Sequence, residues 1–330
     1  DRFGLTKWQF TLSATDANRH MLRYSRHVTG RPKIAVHDYC YHGTVDETFA
    51  VMDDEGNTIP RRDNVGKPID LKQTTTVIPF NDLEAAERAF ATGEIAAMLM
   101  EPALTNIGIV LPDPGYHDGV RELTRKYGTL LIIDETHTFS AGPGGMTKAY
   151  GLEPDILVIG KAIGGGIPTG AYGLSAEFAE KALARDDLDL VDMGGVGGTL
   201  AGNPLSVAAM RATLEHVLTE KAFSHMIATC DVFTAGMNTI FDCYDLPWSI
   251  NQLGARCEYR FAKPYPRNGG EANAAADGDL EDFLHLYLAN RGIMLTPFHN
   301  MALMCPTTTV ADVEKHHAVF EAAVRELLDV

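Results

Sequence analysis

The sequence predicts an α/β protein with a mainly parallel sheet. Short apolar runs alternate with longer amphipathic stretches through the first two-thirds of the 330 residues. Apolar runs of this kind are typical of parallel strands that helices cover on both faces. Strands are predicted at residues 8–12, 33–37, 96–100, 129–134, 155–159 and 170–174, and helices at residues 17–28, 82–91 and 116–127.

A smaller α+β part is predicted to follow the sheet. Asn203-Pro204 is a favourable helix start, because proline is well tolerated in a first helical turn. The helix predicted from it, residues 205–218, would carry the chain out of the sheet. A helix (222–241), a strand (255–261) and a polar surface loop (268–279) are expected next. The predicted division is a large domain at residues 1–216 and a small one at 217–330.

The bulk composition excludes some functions. The formal net charge of −16 argues against nucleic acid and anionic membranes as partners, since both bind basic surfaces. No segment resembles a membrane helix or a signal peptide, so a cytoplasmic location is expected. The cysteines are odd in number and form no CxxC pair, which fits a reducing compartment and predicts neither a disulfide framework nor a metal site.

Two strand ends carry charged residues. Asp134 follows four apolar residues, where a helix cap or a metal ligand is the simpler interpretation. Nucleotide-hydrolysing enzymes also end strands in Asp-Glu, but no GxxxxGK[ST] loop is present. Lys161 ends the next apolar run before three glycines, where an exposed lysine would be commonplace. In a crowded site its amine would lose a proton more easily and could form an imine.

Together these two residues suit pyridoxal phosphate. This cofactor needs an imine-forming lysine and an anion opposite its pyridine nitrogen. Ser13-Ala14-Thr15 opens a helix after the first strand and could bind a phosphate, although a plain helix cap is the simpler interpretation of that segment alone.

Aromatic and histidine side chains complete the predicted cofactor site. Tyr41 follows the second predicted strand closely enough to stack on a cofactor ring, with a packed loop residue as the alternative. His42 and His137 are candidate pocket residues. For both histidines, hydrogen bonding to the cofactor is favoured over acid–base chemistry.

The motifs resemble those of the class III aminotransferases. Matching segments are SATDA, the YHG after Cys40, Glu101-Pro102 with Asn106-Ile107-Gly108, IIDE, GKAIGGGIPTGAYG and GGTLAGNPL. The chain is most similar to the branch that contains glutamate-1-semialdehyde aminomutase and the omega-transaminases. The resemblance covers essentially the whole chain, and it implies a fold type I pyridoxal-phosphate transferase.

The resemblance also implies roles for individual residues. Lys161 would be the Schiff-base lysine, Asp134 the partner of the pyridinium and Tyr41 the stacking ring. The phosphate would be held by Ser13, Ala14 and Thr15, and by Thr199 of a neighbouring subunit in an obligate homodimer with shared sites.

Three features depart from the family pattern. Ala14 replaces a glycine, which is tolerable if its φ is negative. Thr136-His137-Thr138-Phe139-Ser140 lacks an arginine that many relatives carry, which weakens a specific aminomutase assignment. Only twelve residues precede Ser13, so either a segment is missing or the substrate pocket is completed differently.

Two arginines are the main sequence feature that bears on the chemical nature of the substrate. In a strand, Arg256 and Arg260 lie on one face with Glu258 and could grip a carboxylate, or simply form surface ion pairs. The expected function is an aminotransferase that moves an amino group from an amine or a (β-)amino acid to a keto acid or aldehyde in a ping-pong cycle. An aminomutase, racemase or decarboxylase is the alternative on this fold. A catalytically silent cofactor-binding subunit is the alternative of another class.

Overall fold

The computed structural model describes residues 2–62, 64–66, 70–184 and 196–329. Its strands are β1 Lys7–Thr11, β2 Lys33–His37, β3 Ala50–Met52, β4 Thr58–Pro60, β5 Thr75–Ile78, β6 Ile95–Met100, β7 Leu130–Asp134, β8 Ile156–Ile159, β9 Gly170–Leu174, β10 Ser249–Leu253, β11 Arg256–Arg260 and β12 Met301–Leu303. Its helices are α1 Ala14–Thr29, α2 Leu83–Ala91, α3 Tyr116–Tyr127, α4 Gly145–Ala149, α5 Ala176–Leu183, α6 Pro204–Ala212, α7 Glu220–Cys243, α8 Gly269–Ala274, α9 Gly278–Ala289 and α10 Val310–Leu327.

The main sheet is mostly parallel, as predicted. Within the described residues its strand order is β1-β9-β8-β7-β6-β2-β5. The strands from β8 through β7, β6 and β2 to β5 pair in parallel, whereas β9 and β1 add an antiparallel edge. Every residue of β6 and β7 is buried, because helices cover both faces of the sheet centre.

The predicted boundaries of the six strands agree with the structure to within one residue. Helix α1 begins three residues earlier than predicted, at Ala14, because the Ser13 side chain caps it by accepting a hydrogen bond from the Asp16 N–H. The antiparallel β3–β4 pair and strand β5 were not predicted, since each is short and lacks clear alternation.

The predicted loop at residues 268–279 is wrong. Helix α8 occupies its first half, capped by Asn268, whose Oδ1 accepts from the Glu271 N–H at 2.9 Å. Asp277 caps the start of α9 in the same manner. The Gly, Ala and Asn composition resembles a loop, but two cap residues supply what short helices need at their N-termini.

Two large apolar cores lie within the part of the chain that the structure describes. One packs α1, α2 and α3 against β2, β6 and β7. The other joins α7 and α10 to the β10-β11-β12 sheet and also includes Phe139 and Leu157 from the earlier part of the chain. Because this second core draws on both sides of residue 216, the domain division at 216/217 stays a prediction.

Candidate active site

Four neighbouring parallel strands present polar residues at one edge of the sheet. Asp134 ends β7, Glu101 directly follows β6, and Lys161 follows β8 after one glycine. The loop after β2 adds Tyr41 and His42. Parallel strands place their carboxyl ends at the same edge, so residues far apart in the sequence meet in one cleft.

This cleft, which we call the cofactor cleft, has a volume of about 440 Å³. It is lined by every residue predicted to bind the cofactor except Thr199, namely Ser13, Ala14, Thr15, Tyr41, His42, Asp134, His137 and Lys161. Thr199 is exposed and lines neither this cleft nor the one beside it.

Lys161 has an unusual backbone. Its φ is 47°, in the left-handed region that a residue with a side chain seldom adopts. The side chain opens on the cleft, with Nζ in contact with His137 Nε2 and 5.9 Å from the centre of the Tyr41 ring. Partial burial lowers the pKa of the Lys161 amine, against the opposing charges of Glu101 and Asp134. The residue therefore combines a strained backbone with an amine whose pKa is lowered.

Asp134 is buried and ionised. Its Oδ2 accepts a hydrogen bond from Asn18 Nδ2 at 2.9 Å and pairs with His42 Nδ1 at 3.0 Å, while Oδ1 accepts from the Thr136 N–H at 3.0 Å. Burial would raise the pKa of Asp134, but these hydrogen bonds and the His42 charge lower it to about 2. Asn18 was missed by the sequence analysis, because its position on α1 carries no signal of this contact.

His42 is the cationic partner of this carboxylate. Burial disfavours its charged form, but Cys40 and the hydrogen bond and charge of Asp134 raise the pKa of His42 to about 10. Its Nε2 is buried and has no hydrogen-bond partner among the described residues. The hydrogen bond from His42 thus keeps Asp134 in its carboxylate form at the cleft.

The start of α1 is suited to an anion. The N–H groups of Ala14 and Thr15 occupy the first two helical positions, where no intrahelical acceptor exists. Ala14 is helical and therefore has a negative φ, so it is accommodated where relatives carry glycine. Gly43, at φ 78°, lies against Thr15 Oγ1 and leaves no room for a Cβ. An anion site, a buried carboxylate and a lysine thus fit the phosphate, ring nitrogen and aldehyde of pyridoxal phosphate.

His137 is hydrogen-bonded to residues outside the cleft. The Nδ1 atom of His137 is 2.8 Å from Thr105 Oγ1, and the Thr105 hydroxyl donates to Glu101 Oε2. Glu101 Oε1 accepts from the Tyr41 N–H at 3.3 Å. Glu101 was not predicted to be a site residue, although it follows a buried strand just as Asp134 does.

A second cleft of about 1050 Å³, the substrate cleft, adjoins the first and shares Tyr41, His137 and Lys161 with it. Arg256 lines it, donates from Nη2 to the Thr105 carbonyl at 2.6 Å and lies 3.7 Å from Glu258. Arg61 lines it as well and was not predicted.

Arg260 lies on the same strand face as Arg256 but lines neither cleft. Its Nη2 donates to the Ala272 carbonyl at 2.6 Å, and its Nη1 lies 3.6 Å from Glu281. Helix α8, where a loop was predicted, and the following helix α9 cover this arginine, so it does not reach the substrate cleft.

Comparison with known proteins identifies the family. Residues 6–325 match the model of the class III aminotransferases, and the chain belongs to that family. Glutamate-1-semialdehyde 2,1-aminomutase of Chloroflexus aggregans is 34% identical over 331 residues, which are 97% of this chain and 74% of the relative. Membership confirms the expected enzyme class and its cofactor, pyridoxal phosphate.

Solved structures show the same fold. Glutamate-1-semialdehyde aminomutase of Pseudomonas aeruginosa PAO1 superposes with a TM-score of 0.96 at 48% identity, covering 99% of this chain and 73% of that one. A variant of that enzyme is in complex with PMP. An omega-transaminase of Sphaerobacter thermophilus gives a TM-score of 0.84 at 29% identity, covering 97% and 74%. These similarities confirm the predicted fold type I architecture.

No described helix has the length and apolar character needed to span a membrane.

Proposed function

We propose that this enzyme moves an amino group within an amino-acid substrate, as a pyridoxal-phosphate-dependent aminomutase of the glutamate-1-semialdehyde type. The observation that carries the proposal is the convergence of Lys161, Asp134 and Arg256 around adjoining clefts. The relatives described above support the aminomutase reaction over the aminotransferase reaction that the sequence analysis preferred.

Each residue has a defined task in this proposal. When bound, pyridoxal phosphate supplies an aldehyde and an electron-withdrawing ring. Lys161 binds the aldehyde carbon and, as a free amine, removes a proton from the substrate carbon and returns it. Asp134 holds the proton on the ring nitrogen, and Tyr41 covers the ring. The start of α1, at Ser13, Ala14 and Thr15, holds the phosphate.

An aminotransferase is the second candidate. Apolar side chains dominate the wall of the substrate cleft, which suits hydrophobic amines; they are Phe139, Leu218, Phe223, Met226, Phe298, Met301, Leu303 and Met304. The similarity to an omega-transaminase favours the same reading. The two reactions differ in whether a separate carbonyl substrate is needed to accept the amino group.

Incubation with glutamate 1-semialdehyde tests the proposal. In an aminomutase reaction the amino group moves from carbon 2 to carbon 1 of the same molecule, so the product forms without any added acceptor. An aminotransferase needs a 2-oxo acid, which becomes aminated. If the cofactor absorbs normally but neither reaction occurs, the protein is a silent cofactor-binding subunit and the proposal is wrong.

Arg256→Gln is expected to weaken binding of substrates that carry a carboxylate. Loss of one charge-assisted hydrogen bond should lower kcat/KM by about 10- to 100-fold for an amino acid, and much less for an amine without a carboxylate. Arg260→Gln is the matched control, because it removes a buried arginine from the same strand without altering the cleft. An equal loss for both substrates in Arg256→Gln would contradict a carboxylate-binding role.

The proposed enzyme is a homodimer with shared sites, in which Thr199 of each subunit reaches the phosphate in the other. Support for this comes from the GGTLAGNPL motif and from the exposure of Thr199. A cytoplasmic location and the division into domains at 1–216 and 217–330 belong to the same proposal.

A further inference from the structure

Four side chains form a continuous hydrogen-bonded chain that leads from the cleft into the protein. Lys161 Nζ contacts His137 Nε2, and His137 Nδ1 lies 2.8 Å from Thr105 Oγ1. The Thr105 hydroxyl donates to Glu101 Oε2. Thr105 and Glu101 are buried, so water does not compete for the hydrogen bond between them, whereas Lys161 lies exposed at the cleft.

The donor and acceptor in each hydrogen bond follow from the ionisation state of Glu101 at the end of the chain. Glu101 accepts from the Thr105 hydroxyl at Oε2 and from the Tyr41 N–H at Oε1. Burial would raise the pKa of Glu101, but the neighbouring His137, His42 and Thr105 lower it, so this side chain is a carboxylate and only accepts. Thr105 uses its single proton toward Glu101 and must therefore accept from His137 Nδ1. The imidazole then carries its proton on Nδ1, which leaves the Nε2 lone pair directed at Lys161.

We propose that His137 is a catalytic base for Lys161, accepting a proton from its ammonium group and later returning it. The N–H bond on Lys161 Nζ breaks, its electron pair stays on nitrogen, and a new N–H bond forms on His137 Nε2. The Nδ1–H group of His137 keeps its hydrogen bond to the Thr105 oxygen, and the negative charge of Glu101 stabilises the imidazolium. The inference rests on the proposed role of Lys161.

The same arrangement appears wherever a nucleophile is activated by a base that a third group orients. Here Lys161 is the nucleophile, His137 the base, and Thr105 with Glu101 the orienting pair. The other charged groups near Lys161 and His137 are Asp134, which favours the ammonium, and Arg256, which disfavours positive charge on both. Burial lowers the pKa of both Lys161 and His137, and the charge of Glu101 raises both. Glu101 therefore offsets part of the cost of a positive charge on His137.

The test follows the binding of pyridoxal phosphate to cofactor-free protein by its absorbance, which needs no turnover. His137→Gln retains a hydrogen-bond acceptor for Lys161 but cannot take up a proton. At pH 7 we expect its rate of imine formation to fall about 100-fold. The difference should shrink as the pH approaches the ordinary pKa of lysine, where the amine is already neutral.

Matched variants separate proton transfer from positioning. Thr105→Val removes the hydroxyl and should slow the reaction about tenfold, in the range typical of orienting groups around a site. Thr105→Ser keeps the hydroxyl and should recover most of the rate that Thr105→Val loses. Added imidazole should restore part of the rate to His137→Ala. His216→Gln alters an exposed histidine outside both clefts and should change nothing.

The outcomes are distinguishable. If His137→Gln reacts at the wild-type rate with the wild-type pH profile, His137 only positions the lysine and the inference is overturned. If imidazole fails to accelerate His137→Ala while the cofactor still binds, proton transfer by His137 is likewise excluded. If wild-type protein forms no imine at Lys161 at all, the proposed function itself fails.

Discussion

Replacing Lys161 by alanine is expected to abolish turnover. The variant loses the amine that binds the cofactor covalently and also the base that moves the substrate proton. Because one group performs both steps, we expect a loss of at least about 10⁴-fold in kcat, the upper end of what a single acid–base group supplies. Steady-state turnover, with the absorbance of the bound cofactor, is the measurement.

Lys181→Ala is the control for this variant. Lys181 is exposed on α5 and pairs only with Glu177 along the same helix, among the residues that the structure describes, so its loss should leave activity and cofactor absorbance unchanged. Reduction of wild-type holoenzyme with borohydride should also fix the cofactor to the peptide that contains Lys161. Cofactor on another lysine, or near-normal turnover of Lys161→Ala, would remove the central residue of the proposed site.

Asp134→Asn is expected to have the second-largest effect. The amide keeps the shape of the side chain but cannot hold a proton on the ring nitrogen by charge. By analogy with the loss of one oriented electrostatic group, we expect kcat to fall by about 10²- to 10³-fold. The measurement is the rate of proton removal from the substrate in a single turnover. An unchanged rate would show that the carboxylate has no catalytic role.

The same substitution should destabilise the cofactor-free protein. The NH₂ group of the introduced amide would face one of the donors that now point at the carboxylate, so one or more buried groups lose their partner. We expect the free energy of unfolding to fall by about 1–3 kcal/mol. Asp54→Asn, on the surface, is the control and should have little effect.

The pH dependence of this destabilisation has a definite sign. The pKa of Asp134 is lowered to about 2 in the folded protein. Its contribution to the free energy of unfolding is therefore present above its ordinary pKa of 3.8 and is lost as the pH falls toward 2. The pKa of His42 is raised to about 10 in the folded protein. Its contribution to the free energy of unfolding is therefore present below its ordinary pKa of 6.5 and is lost as the pH rises toward 10. The stability gap between wild type and Asp134→Asn should be widest between about pH 4 and 6.5.

Strand-end residues were the part of the site that the sequence could predict. Asp134 and Lys161 each follow an apolar run, and parallel strands place such ends together regardless of what else the chain does. Glu101 follows β6 in the same way, and the same reasoning would have placed it at the same edge of the sheet.

Contacts made by helices and loops were not predictable in this way. Asn18 donates to Asp134 although the two residues are 116 positions apart in the sequence, and Thr105 contacts His137 from a loop. No periodicity encodes such contacts, because they depend on how helices pack on the sheet. Arg260 illustrates the opposite error, since alternation correctly put it on one face with Arg256 but could not show that α8 and α9 cover that part of the face.

The sequence by itself determined the class of this protein: apolar strands, a lysine and an aspartate at their ends, and a helix start suited to phosphate. These are local features, whose consequences follow from the geometry of parallel sheets. Tertiary structure alone decided which groups surround Lys161, since the His137, Thr105 and Glu101 chain and the His42–Asp134 pair join residues from separate elements. Their charges and protonation states depend on burial and on distances of a few ångströms, which only the packed fold defines.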